Sequence, residues 1–271
     1  MSIRPKSADA VGKMRAAGQV VAEVLVRLQD MARPGVTTAE LDAEAVRIMT
    51  ARGARSLFLG QPHPHGGRRY PGNICVSVNE ELVHGIPGPR RIVEGDVVSV
   101  DVGVQKDGWC GDAARTFVVG EAPEKVAALV RATEEALGLV GREARAGVLW
   151  SAVAGQIEAL VRRAGFSIVT EYVGHGIGSR MWEEPRVPNY VGGDMLRDDF
   201  LLVENMTFAA EPMVNMGRKD VRETDDGWTV VTCDGKPAAH FEDTFLVTRT
   251  GAEPLTRLTG RDEGRMSPTY G

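Results

Sequence analysis

The amino-acid sequence predicts an α+β domain in which a curved antiparallel sheet is covered by helices, and three observations carry that class. Helical and strand-like periodicities come in blocks: a pair of helix patterns, then short β-rich runs, then the same order again. The second block echoes the first. ARPGVTTAELDAEAVRIMTARGA (32–54) aligns with ARAGVLWSAVAGQIEALVRRAGF (144–166), sharing an Arg, a Gly, a Val and the terminal Gly at a constant offset of 112. Acidic residues also interrupt several of the apolar β-rich runs. These features predict two similar halves, about 7–120 and 121–257, within one domain spanning 1–259, and a flexible C-terminal tail at 260–271.

From Ser7 to about Met31 the apolar residues Val11, Met14, Val21, Val24, Leu25 and Leu28 recur at helical spacing. Ser7 supplies an N-cap and Pro34-Gly35 stops the helix. Thr37-Thr38-Ala39-Glu40 reads as a capping box opening a second helix, with Leu41, Ala45, Ile48 and Met49 inward and Gly53 at its end. Residues 61–73 (QPHPHGGRRYPGN) are too rich in Gly and Pro for anything but loop, which predicts solvated His63 and His65. Strands follow at about 74–78, 82–84, 97–104 and 109–119, the last two joined by a hairpin turn at Asp107-Gly108. Helices then recur from about Pro123 to Arg142 and from about Leu149 to Ala164, the second with Val153, Ile157, Leu160 and Val161 apolar. HGI appears at 84–86 and again at 175–177, and the acid-bearing strands repeat loosely, Asp101 with Glu211 and Asp112 with Glu242.

Composition excludes several classes. Hydrophobic content of 43% and charged content of 25% are those of an ordinary globular domain, and a net charge of −5 gives no reason to expect nucleic acid as ligand. There is no apolar run of membrane-spanning length and no signal-peptide pattern, so no membrane is expected. Cys75, Cys110 and Cys233 lack CxxC spacing, which argues against a structural zinc site and for a reducing, cytoplasmic setting.

The chemistry gathers around Gly174-His175-Gly176. Asp101 (VVSVDVG), Asp112 (WCGDAARTF), Glu211 (MTFAAEPM) and Glu242 (HFEDTFLVT) each break a β-rich run, where burial of an unpaired carboxylate is costly. Any one alone reads equally well as a salt-bridged or turn-capping acid. Together with His175 they point to a shared positive charge, most simply a pair of divalent metal ions. The hairpin at Asp107-Gly108 is expected to bring Asp101 and Asp112 close together across two antiparallel strands.

In order and spacing, NICVSVNEELVHGIPG (73–88), GDVVSVDVG (95–103), GDAARTF (111–117), YVGHGIGSRMWEEPRVPNY (172–190), MTFAAEPMVN (206–215), DGWTVVT (226–232) and AAHFEDTFLVT (238–248) resemble the type I methionine aminopeptidases in their minimal bacterial form. The resemblance covers about residues 7–257 and implies the pita-bread fold, a curved antiparallel sheet flanked by helices in two pseudo-symmetric halves. It implies that Asp101, Asp112, His175, Glu211 and Glu242 ligate two divalent ions (Co, Mn, Fe, Zn or Ni), with Asp112 and Glu242 bridging. It further implies that Glu211 doubles as general base and that His84 lies beside the scissile amide. The implied substrate is a peptide or nascent-chain N-terminus, the ribosome is a candidate partner, and the family favours a monomer.

The chain departs from the family pattern in the pocket. After GHGIG the family carries a second active-site histidine where this chain has Trp182, and an indole offers one N–H donor and no proton to exchange. Loss of such an electrostatic stabiliser costs about 10²–10³ in turnover. Phe58 and Gln61 stand where the family usually has a cysteine and a tyrosine, and Met181 where it tends to have Phe, whereas Tyr70, Cys75 and Trp228 match. The leading expectation is removal of N-terminal methionine by metal-activated water. The alternatives are a divergent hydrolase of another small peptide or aminoacyl substrate, and a weakly active peptide-binding homologue.

Overall fold

Helices and strands occupy the predicted blocks. The structure, a computed structural model, describes residues 3–258, so the expected tail at 260–271 lies outside the described residues. Helix α1 (Ala8–Met31) starts where the Ser7 hydroxyl accepts from the Ala10 N–H at 3.2 Å. Helix α2 (Thr38–Ala51) opens with the expected capping box, Glu40 N–H to Thr37 Oγ1 and Thr37 N–H to Glu40 Oε2. Helix α3 spans Glu124–Glu143 and helix α4 Trp150–Arg163; a short α5 covers Gly193–Arg197.

The duplication is structural. Adding 112 to both ends of α2 gives 150 and 163, the ends of α4. Gly35 and Gly147, and likewise Gly53 and Gly165, carry the same left-handed backbone before and after each helix. Each half has its own apolar core. One is built by α1, α2 and the strand Val97–Lys106 with its neighbours, the other by α3, α4 and the strands around Phe208 and Phe245.

Every strand pairing among the described residues is antiparallel. Val97–Lys106 and Trp109–Val118 form a hairpin of ten consecutive pairs. Its turn residues Asp107 and Gly108 sit at φ 50° and 79°, the pair of positive values that a type I′ turn requires. In the second half the strands Ala252–Pro254, Asp243–Val247, Thr207–Ala210, Gly174–Gly176 and Glu183–Val187 line up in that order. The halves meet at a two-bond bridge, Ala114 N–H to Glu242 O and Glu242 N–H to Ala114 O at 3.2 and 2.9 Å.

Alternation along Trp109–Val118 sends Asp112 to the concave face and its neighbour Gly111 to the helix side. There α1 lies so close that a Cβ on Gly111 would stand 2.8 Å from the Gly18 nitrogen. The helix is thus pressed against the back of the strand that carries the acid. No helix among the described residues is long and apolar enough to cross a membrane.

Candidate functional site

The seam between the halves is where the acids converge. Asp101 pairs in register with Ala114 and Gly103 with Asp112, so the two carboxylates are diagonal neighbours on one face of the hairpin. Gly103, opposite Asp112, keeps that face open: a Cβ there would lie 3.2 Å from Asp112 Oδ1 and 2.7 Å from the Phe58 ring. From the second half, His175 sits on the Gly174–Gly176 strand at a register shift, Glu211 follows Thr207–Ala210, and Glu242 precedes Asp243–Val247. His175 Nδ1 lies 3.0 Å from the Gly176 carbonyl, which turns Nε2 inward to 3.8 Å from Asp112 Oδ2 and 3.9 Å from Glu211 Oε1. Donor atoms of Asp112, His175 and Glu242 all fall within 4.8 Å of one another.

Asp112 and Glu242 are buried, Asp101, His175 and Glu211 half-buried, and the cluster is under-satisfied. Asp101 Oδ1, Asp112 Oδ1 and Glu242 Oε1 have no hydrogen-bond partner. Burial pushes Asp112 up to about 7. It raises Asp101, Glu211 and Glu242 well above the carboxylate range, helped by the negative charge of Asp112. Burial likewise pushes His175 down to about 4. A cluster of carboxylates held together without a cation resists ionisation, and a divalent ion at its centre reverses that preference. The orphaned oxygens around one neutral imidazole nitrogen fit such an ion, with hard oxygen donors predominating.

Above the cluster opens a cavity of about 680 Å³, lined by all seven residues that the sequence suggests for substrate: Phe58, Tyr70, Cys75, His84, Met181, Trp182 and Trp228. Tyr70 and Trp228 stand edge to face at 5.1 Å. Their polar tips are bonded to backbone, Tyr70 Oη to Ile74 O at 3.0 Å and Trp228 Nε1 to Arg68 O at 2.8 Å, which leaves ring faces for the cavity. Trp182 is 54% exposed at the mouth, its ring 6.5 Å from that of His175. His84 is held at φ 60°, left-handed backbone that is unusual for a residue with a side chain, and packs against Tyr172 and Trp228. Burial pushes it down to about 4.

A family model for metallopeptidase family M24 matches residues 12–249. The chain belongs to metallopeptidase family M24. Among M24 relatives it is 43% identical to methionine aminopeptidase 1 of Bacillus subtilis, over 93% of this chain and 98% of that one. It is 41% identical to the methionine aminopeptidase of Escherichia coli K12, over 94% of both. The crystal structure of methionine aminopeptidase from Thermotoga maritima superposes with a TM-score of 0.88 at 39% identity, covering 95% of this chain and all of that one. The pita-bread architecture of the M24 fold is therefore the architecture of this chain.

Three features of this M24 site were not read from the sequence. His63, expected to be solvated, instead bonds Glu223 at 2.9 Å and packs edge-on against Trp228 at 5.0 Å, because the loop folds back over the pocket wall. His240 is fully buried behind the cluster, and Arg115 and Asp243 form a buried pair beside Glu242. The pairing of His84 with His175 through their shared HGI is a likeness of letters. One stands just past a strand end in left-handed backbone, while the other lies within a strand.

Proposed function

We propose that the protein is a dinuclear metalloaminopeptidase that removes methionine from the N-terminus of peptides and new proteins. The observation that carries this reading is the convergence of five buried or half-buried donors, three with orphaned oxygens, on the floor of a cavity walled by Tyr70, Trp228, Phe58 and Met181. Relatives named methionine aminopeptidase over nearly the whole chain support the substrate.

In this reading Asp101, Asp112, His175, Glu211 and Glu242 would hold two divalent ions, with the carboxylates of Asp112 and Glu242 available to both. Bound there, the ions supply Lewis acidity and ease the deprotonation of a water. Glu211, whose carboxylate faces the cavity, would accept the proton of the attacking water as general base. His84, neutral near pH 7, donates an N–H toward the scissile amide. The aromatic faces and the Met181 thioether take an unbranched apolar side chain, and sulfur against ring edges adds to the fit. Trp182 at the mouth can donate one hydrogen bond and exchange no proton, so the step relies on His84 and Glu211. The reading takes from the family resemblance a cytoplasmic monomer, with nascent chains as substrate and the ribosome as a candidate partner.

The test is turnover of X-Ala-Ser tripeptides by protein reconstituted anaerobically with Mn(II), Fe(II) or Co(II), with metal content measured in parallel and Trp182→His run beside the parent. The expected result is two ions and a clear preference for X = Met. Two ions with preference for another residue would move the substrate, and no turnover of any peptide would leave a binding homologue. If Trp182→His leaves methionine release unchanged, position 182 does not limit catalysis.

A further inference from the structure

We propose that His240 is the positioning residue for Glu211, gripping the carboxylate oxygen that faces away from His175. This rests on the reading of Glu211 as ligand and base. The strand Ala238–His240 runs straight toward Glu242, and alternation sends Ala239 and Phe241 into the apolar core while His240 and Glu242 share the opposite face. Its partner strand puts Met213 across from His240, so the imidazole comes up behind the Glu211-Pro212 turn.

The two residues are held from different sides. A single hydroxyl, Thr116 Oγ1, accepts from the His240 N–H at 2.9 Å and donates to the His240 carbonyl at 2.7 Å. Because that spends the only Thr116 proton, Ser99 Oγ, 2.8 Å away, is the donor of its own bond to Thr116. The first-half hairpin thus fixes the backbone of a second-half residue. On the other side, Asn189 Nδ2 donates to the Glu211 carbonyl at 3.0 Å. Main chain is pinned at both residues, and the contact between them is left to the side chains.

That contact is divided in two. Glu211 Oε1 lies 3.9 Å from His175 Nε2, and Glu211 Oε2 lies 3.7 Å from His240 Nε2. The carboxylate therefore sits between two imidazoles, one in the cluster and one outside the cavity lining. His240 Nε2 is buried and has no hydrogen-bond partner, an expense that an apolar side chain at the same 2%-exposed position would avoid. An N–H of His240 within about half an ångström of hydrogen-bond distance of Oε2 closes with a small side-chain rotation of Glu211. Closed, it fixes which Glu211 oxygen is offered to the cluster and keeps the other from wandering. Carboxylates that ligate metals commonly need such an outer partner.

The experiment compares the parent with His240→Leu, His240→Phe and His240→Gln. Each is titrated with Mn(II) and Co(II) by calorimetry under anaerobic conditions, its Co(II) visible bands are recorded, and thermal melts report folding. The Leu variant is expected to stay folded, to bind metal about 10–100-fold more weakly, and to show shifted Co(II) bands. If Leu does not fold, Phe, close in shape to imidazole and lacking its nitrogens, carries the same expectation. The Gln variant, which keeps an N–H donor, is expected to recover most of the affinity and the parental bands. Parental affinity and bands in the folded apolar variant would overturn the proposal, and so would a Gln variant no better than Leu. A parent that binds neither Mn(II) nor Co(II) would overturn the reading of the cluster itself, a different failure.

Discussion

The two halves share a plan and deliver their site residues in opposite ways. The first half offers Asp101 and Asp112 from the interior of a ten-pair ladder, whose register decides the face that both take. The second half offers His175 at a register shift, Glu211 just past a strand and Glu242 just before one. Irregular backbone of that kind is free to aim side chains but holds them poorly, and bonds across the seam run in both directions. Thr244 Oγ1 accepts from the Asp112 N–H at 3.0 Å and donates to the Asp112 carbonyl at 2.9 Å. Arg115 donates to the Glu242 carbonyl, and Thr116 brackets His240. Each half thus clamps the other across the seam.

The sharpest way to break this picture is to remove the acid that belongs to the ladder yet faces the seam. Asp112→Ala takes away a donor that the proposed function shares between two ions, while leaving the hairpin bonds intact. Loss of both ions is expected, with kcat/KM on methionyl peptides down by at least a thousandfold, about 4 kcal/mol. Metal analysis and steady-state kinetics check it. An Asp112→Ala protein with two ions and normal activity would show that Asp112 does not bridge.

The clamp itself is tested by Arg115→Leu. Arg115 is 8% exposed and Asp243 fully buried; their 2.6 Å bond is one of several at Asp243, with Thr256 and Arg257 also donating. Arg115→Leu leaves Asp243 its bonds from Thr256 and Arg257, so the expected cost is that of the charge-assisted bonds lost, about 1.5–3 kcal/mol. Urea denaturation of the metal-free protein measures this. Lys13→Gln, which breaks a surface i,i+4 pair with Asp9, is the control and is expected to cost no more than about 0.5 kcal/mol. Equal midpoints for the two variants would mean that the seam draws no strength from the pair.

How much of this was legible beforehand follows from the same contrast. The capping box at Thr37, the turn at Asp107-Gly108 and the alternation through Asp101 and Asp112 are local patterns, and each is where the sequence predicts it. The helix repeat at an offset of 112 was readable because each helix pair obeys one periodicity. The contacts of His240, Thr116 and Arg115 were not legible, since their partners lie more than a hundred positions away and alternation says which face a residue takes, never what crosses to meet it. His63 misled for a related reason: Gly and Pro mark a loop correctly, and nothing local says that the loop returns onto Trp228.

The smallest effect expected is a pH slope that both halves share. In the metal-free protein Asp112 is raised to about 7, and Asp101, Glu211 and Glu242 are raised well above their ordinary values by burial. Raised acids stabilise the fold fully below their unfolded pKa and lose that contribution as pH climbs through the folded pKa. The buried histidines pull the other way: His84 and His175 are lowered to about 4, and their contribution is lost as pH falls from about 6.5 toward that value. As pH rises past about 6.5 the unfolded histidines also become neutral, their part of the slope fades, and only the acids still act. The melting temperature of metal-free protein is therefore expected to fall between about pH 6.5 and 8, by roughly 2–4 °C for each kcal/mol lost. Mn(II) should restore more stability at the upper end, because metal binding requires the deprotonated carboxylates that the empty fold resists. Asp112→Asn should flatten the metal-free slope by removing one of its titrating groups. A melting temperature independent of pH without metal, or a metal benefit that shrinks as pH rises, would mean that the seam carboxylates are not the strained groups their burial makes them.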